Sequence, residues 1–203
     1  MKLYYLPGAC SLADHIVLEW IGRPYETYRV AREELGTPAY LQINPSGAVP
    51  ALQEDDGWVL TENAAILNYL ADLNPEARLG GDGSARGRAE VNRWLAFINS
   101  DLHPLFRPVF RPERFIDDET AQEALRAKSI ARLRDYYERL DAQLEGRDWL
   151  TGARSFADPY LFVVLRWAVA KGVKLDGLDN LARFHQRMLA DAGVQAAMQQ
   201  EGL

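Results

Sequence analysis

The sequence is poor in the residues that make cross-links and metal sites. Cys10 is its single cysteine, so neither an intramolecular disulfide nor a C-x-x-C redox pair can form, and a reducing compartment is expected. The three histidines stand far apart, at 15, 103 and 185, without zinc-ligand spacing, and no metal is expected. Positive charge is in deficit, 23 Lys and Arg against 29 Asp and Glu. The net −6 argues against a nucleic-acid binder, although Arg107, Arg111 and Arg114 cluster locally. No run approaches the ~20 apolar residues of a membrane span. The opening MKLYYLPGACS lacks the apolar stretch of a signal peptide, so a soluble cytoplasmic protein is expected. What is plentiful is core material, 48% hydrophobic residues over 203 positions.

Periodicity divides the chain. Residues 2–6 form a short β-prone run ended by Pro7-Gly8. Leu12, Ile16 and Trp20 then recur at helical spacing from Ser11 to Ile21, and Gly22 and Pro24 stop that helix. Residues 25–30 alternate as a strand. Ala51–Gln53 and Trp58–Leu60 flank Asp55-Asp56-Gly57, a hairpin signal, and 64–73 read as a helix. The order β-α-β, a loop or short helix, then β-β-α is that of a thioredoxin-like α/β domain, assigned to residues 1–80. Asn74-Pro75 and Gly80-Gly81-Asp82-Gly83 mark the linker. From 84 to 203 the pattern is helical, and an all-α domain of five helices is expected.

Several residues carry possible chemistry. Cys10 sits between a turn and a helix start, where free N–H groups and the helix dipole favour a thiolate. Its alternative is a small buried residue at a tight turn. Tyr5 and Ser11 are either hydrogen-bond donors to a sulfur anion or, respectively, a core tyrosine and a helix cap. In Asn44-Pro45-Ser46-Gly47-Ala48-Val49-Pro50, a cis bond before Pro50 leaves the Val49 backbone open to pair with an extended peptide; a plain Pro-rich loop is the alternative. Thr61-Glu62-Asn63 caps the next helix, offers the same N–H groups to a carboxylate, or does both. Pro104 biases His103 away from helical geometry and predicts a kink there. Ser155 and Asp158 fit a capping-box variant before the apolar run 160–169 and read as structural.

Together KLYYLPGACSLADHI, INPSGAVPAL, the segment from Thr61 to Asp72 and SFADPYLFVVLRWA resemble the bacterial beta-class glutathione transferases over essentially the whole chain. The resemblance implies the glutathione transferase fold, a detoxifying homodimer and glutathione as co-substrate. It places Cys10 beside the glutathione sulfur, with Tyr5 and Ser11 as neighbours. Val49 and Pro50 would hold the cysteinyl part, and Glu62 and Asn63 the γ-glutamyl end. His103 would reach in from the helical half, and Asp101 would approach the neighbouring subunit's site. Arg32 is the candidate for a lysine of the family that contacts glutathione. Cys10 would either donate to the glutathione sulfur during conjugation or form a mixed disulfide with it. A non-catalytic carrier of apolar ligands is the third reading. Phe106, Arg107, Phe110, Arg111 and Trp167 are the candidate contacts to an aromatic or anionic electrophile.

Overall fold

A computed structural model describes all residues from Met1 to Leu203. Strand β1 (Lys2–Tyr5) buries Leu3 and Tyr5 on one face, as strand alternation requires. Helix α1 (Ser11–Ile21) follows, and Gly22, in the left-handed conformation at φ 72°, closes it by donating its N–H to Leu18. Strand β2 (Glu26–Arg29) returns parallel to β1, with Lys2 opposite Glu26. A short α2 (Pro38–Leu41) leads to β3 (Ala51–Gln53), antiparallel to β1, and β4 (Val59–Thr61). The sheet order is β2-β1-β3-β4, and α3 (Asn63–Leu73) completes the unit. The second hairpin strand starts one residue later than expected. Trp58 belongs to the turn, where its N–H donates to the Asp56 carboxylate and its ring packs on Tyr69.

From Ala85 onward no strand occurs, and the main elements are α4 (Ala85–Phe97), α5 (His103–Phe110), α6 (Glu119–Gln143), α7 (Ala157–Ala170), α8 (Asp179–Ala190) and α9 (Ala192–Glu201). The helical path from α4 to α5 is unbroken, so five helical bodies result. The expectation that Pro104 holds His103 away from helical geometry is corrected. His103 keeps helical angles, φ −59° and ψ −44°, and donates its N–H five residues back to Ile98. A π turn at Ile98–Leu102 widens the helix just before the proline, which relieves the clash with the preceding turn.

One hydrophobic cluster of 42 buried residues runs from Leu3 to Ala197, so the sheet half and the helical half share a core. Helix α1 lies at its centre, packed against α3, α7 and α9. Every residue from Ser11 to Leu18 is buried.

The start of α7 is fixed differently from a standard capping box. Asp158 accepts from the N–H groups of Ser155 at 2.8 Å and Leu150 at 2.9 Å. The Ser155 hydroxyl, however, donates to the Asp158 carboxylate at 2.8 Å rather than capping the helix backbone. Ser155→Ala therefore removes one hydrogen bond and is expected to cost about 1 kcal/mol. Asp158→Ala strands two buried N–H groups and a hydroxyl and is expected to cost about 3 kcal/mol or more. Urea unfolding of the two variants checks the order; equal losses would contradict this account.

Candidate active site

Three segments converge at the N-terminus of α1. Cys10 precedes the helix, and its thiol donates to the carbonyl of Val49 at 3.5 Å. The Val49–Pro50 peptide is cis. From the start of α3, Asn63 donates its amide to the Cys10 carbonyl at 2.7 Å. The residue before it, Glu62, is exposed and holds a left-handed φ of 73°. A non-glycine residue there stores about 1–3 kcal/mol of strain, which clusters at binding sites. No side chain caps α3, and the N–H groups of Asn63 and Ala64 make no bond within the chain. The Val49 N–H is likewise free.

The thiol does not behave as its helix position alone predicts. Burial pushes Cys10 up to about 12, and the Asp14 carboxyl one turn along adds to this. The Asn63 amide and the N–H groups of Cys10 and Ser11 pull the other way but are outweighed. Desolvation thus exceeds the pull of the helix terminus, which supports the second of the two sequence readings, a small residue packed at a tight turn. Asp14 is itself held well above the usual carboxylate range by burial. Neither of its oxygens has a hydrogen-bond partner in the protein.

The turn carrying Cys10 is pinned by the helical half. Gly8 adopts φ 70°, a conformation that favours glycine. Its N–H donates to Glu201 at 2.8 Å, and its carbonyl accepts from the Trp167 indole at 2.8 Å. The other Glu201 oxygen lies 3.0 Å from His15 Nδ1, with both side chains fully buried. His15 Nε2 lies 3.0 Å from the Gln200 side-chain oxygen.

His103 approaches from α5. Its Nδ1 lies 2.6 Å from the Tyr160 hydroxyl, and its ring packs against Trp167 at 4.9 Å between centroids. Burial, with the nearby Arg107 guanidinium, lowers His103 to about 4, so the imidazole is neutral near pH 7. Phe110, 41% exposed, packs edge-on against Trp167 and continues this aromatic wall.

Some expected site residues sit elsewhere. Tyr5 is buried and donates to the Gln200 carbonyl at 3.4 Å, facing α9 rather than the cysteine. Ser11 is fully buried, and its hydroxyl bonds to the backbone of Leu6, neither capping α1 nor facing Cys10. The strand phase explains Tyr5, since its face is the core face. The tight turn between Leu6 and Ser11 explains the serine. Phe106 is fully buried beneath Phe110 and offers no surface to a ligand. Arg107, Arg111 and Asp101 are exposed. Arg32 is exposed too, beside Arg29, Leu6 and Pro7 in a groove of about 490 Å3. No group of three His, Cys, Asp or Glu side chains is placed to hold a metal. The pin through Glu201 and His15, and the Tyr160 contact to His103, went unseen because each joins residues far apart in sequence.

Two outcomes test this geometry. Alkylation of Cys10 by iodoacetamide should be slow at neutral pH and rise about tenfold per pH unit with no plateau up to about pH 10. A plateau below pH 9 would show an acidic thiol instead. Glu201→Ala leaves the half-buried N–H of Gly8 and the buried His15 ring without their partner and should cost about 3 kcal/mol in urea unfolding.

Residues 9–73 match the family description "Glutathione S-transferase, N-terminal domain", and residues 94–192 match "Glutathione S-transferase, C-terminal domain". The chain is 54% identical over 204 residues to glutathione S-transferase GST-4.5 of Xanthomonas campestris pv. campestris, covering all of both proteins. Its fold superimposes on the glutathione S-transferase of Xylella fastidiosa with a TM-score of 0.96 at 51% identity, over 100% of this chain and 98% of that one. A bacterial beta-class glutathione S-transferase from Sphingomonas chungbukensis gives a TM-score of 0.87 at 35% identity over all of both chains. On these matches across both halves, the chain belongs to the glutathione S-transferase family.

Proposed function

We propose that the protein conjugates the thiolate of glutathione to small electrophiles, with the sulfur held beside Cys10. One observation carries this reading: the Cys10 thiol, the cis Val49–Pro50 peptide and the uncapped start of α3 are tied together by direct contacts. A tripeptide has complementary groups for each. The free Val49 N–H suits pairing with its cysteinyl backbone. The free N–H groups of Asn63 and Ala64 suit the γ-glutamyl carboxylate, and the exposed Glu62 suits the adjacent ammonium. Arg32, with Arg29, offers positive charge for the glycyl carboxylate at the far end.

The chemistry required is modest. Lowering a thiol pKa by one unit takes about 1.4 kcal/mol of differential stabilisation, within reach of one or two charge-assisted hydrogen bonds. A Cys10 thiol raised to about 12 remains a donor at neutral pH and does not place a second anion beside the glutathione sulfur. That favours conjugation over a Cys10 mixed disulfide. The electrophile would lie against Phe110 and Trp167, with Arg107 and Arg111 nearby for anionic groups. A homodimer is part of the same reading, supported by the exposed side chains of Trp58 and Leu73, 47% and 42% accessible, beside Tyr69.

Calorimetry with reduced glutathione in two buffers of different ionisation heat tests the proposal. Binding with proton release near neutral pH is the expected result; absence of binding would overturn it. Cys10→Ala should retain conjugation with kcat/KM lowered about tenfold, the size of one lost hydrogen bond to a charged group. Intact mass after exposure to oxidised glutathione should show no adduct at Cys10, and a stoichiometric adduct would favour the disulfide chemistry.

A further inference from the structure

The π turn at Ile98–Leu102 does more than accommodate Pro104. It sets Asn99 one helical turn before His103, and both reach the same phenol on α7. Tyr160 has one hydroxyl proton and two neighbours. It donates to the side-chain oxygen of Asn99 at 3.1 Å, an atom that can only accept. Its contact to His103 Nδ1, at 2.6 Å, must then be one in which the ring nitrogen donates. A neutral imidazole that donates from Nδ1 has no proton on Nε2. That Nε2 makes no hydrogen bond within the chain, and it is absent from the fully buried, unpartnered polar atoms.

We propose that Asn99 is a positioning residue which, through the Tyr160 hydroxyl, fixes His103 in the Nδ1–H tautomer and so presents Nε2 as the acceptor of the glutathione thiol proton. The proton step rests on the conjugation reading above; the tautomer does not. In the step, the S–H bond breaks, an N–H bond forms at Nε2, the thiolate left beside the imidazolium offsets the low basicity that burial gives His103, and the sulfur keeps the electron pair with which it attacks the electrophile. The imidazolium then returns its proton to the leaving group or to water. With the opposite tautomer a neutral His103 would be a donor to the sulfur and could not take this proton.

Tyr160 is buried against the cysteine side of the cleft. Its phenol lies within electrostatic reach of Cys10, Asp14, Glu62 and Arg107. The Trp167 ring that packs on His103 is held to Gly8, two residues before Cys10. The imidazole is thereby placed beside the turn that carries the cysteine.

Isotope-labelled histidine and two-bond proton–nitrogen correlation spectra near neutral pH read the tautomer directly, with His103→Gln to assign the signals. The native protein should show His103 neutral and protonated on Nδ1. Asn99→Leu frees the phenol proton to point at Nδ1 and should shift His103 towards the Nε2–H form. Asn99→Asp keeps an acceptor and should retain Nδ1–H. With a chloronitrobenzene electrophile, Asn99→Leu should lower kcat about tenfold with KM for glutathione within about twofold, and Asn99→Asp should recover most of kcat. An Nε2–H tautomer in the native protein, or an unchanged one in Asn99→Leu, overturns the positioning role. A shifted tautomer with unchanged kcat overturns the acceptor role. Failure of the native protein to conjugate overturns the acceptor role together with the conjugation reading, while the spectra still decide the tautomer.

Discussion

Helix α1 has almost no solvent face, and most of the molecule is arranged around that constraint. A helix between a sheet and a helical half must be apolar on nearly every side, and Leu12, Ala13, Ile16, Val17 and Leu18 meet the demand. Its few polar residues then need partners from elsewhere. His15 finds them on α9, in Glu201 and Gln200. Ser11 finds them in the backbone of Leu6. The cleft is the place where the enclosure stops, at the N-terminal end of the helix, and Cys10 stands there. A rigid support of this kind can hold a sulfur in place without using the sulfur's own contacts.

Departures from ordinary protein chemistry collect near that end. Glu62 has a backbone conformation that costs free energy, the oxygen of the Asn63 amide is buried without a partner, and both Asp14 oxygens lack one. Each is tolerable only because the surroundings are rigid, and each lies within the segments that meet at Cys10 or on the helix behind it. The same rigidity explains the thiol. Enclosure raises the Cys10 pKa more than the neighbouring N–H groups lower it.

Much of this was legible in the sequence, wherever the signal was local. The helix from Ser11 to Ile21 and the hairpin about Asp56-Gly57 follow from spacing and turn chemistry. The cis bond at Pro50 was legible only as one of two possibilities. Tyr5 and Ser11 were placed correctly along the chain but wrongly in direction, because a side chain's heading depends on which face the core lies. At Pro104 the local rule predicted a non-helical backbone at His103, yet the helix accommodated the proline through a wider turn, an option that residue preferences do not reveal. The roles of Glu201, Tyr160 and Asn99 depend on contacts across the fold and had no local signature.

The bond between Gly8 and Glu201 spans 193 positions of sequence. A ribosome therefore makes the cysteine turn long before the residue that clamps it. The N-terminal half can therefore assemble its sheet early, but its reactive corner stays unclamped until α9 has been made and has docked. Contacts of such separation close slowly, since the entropy of a long loop is lost before they return anything. The nascent protein thus carries its sole thiol on a turn that is clamped only late, and the corner at Cys10 acquires its final shape when α9 docks.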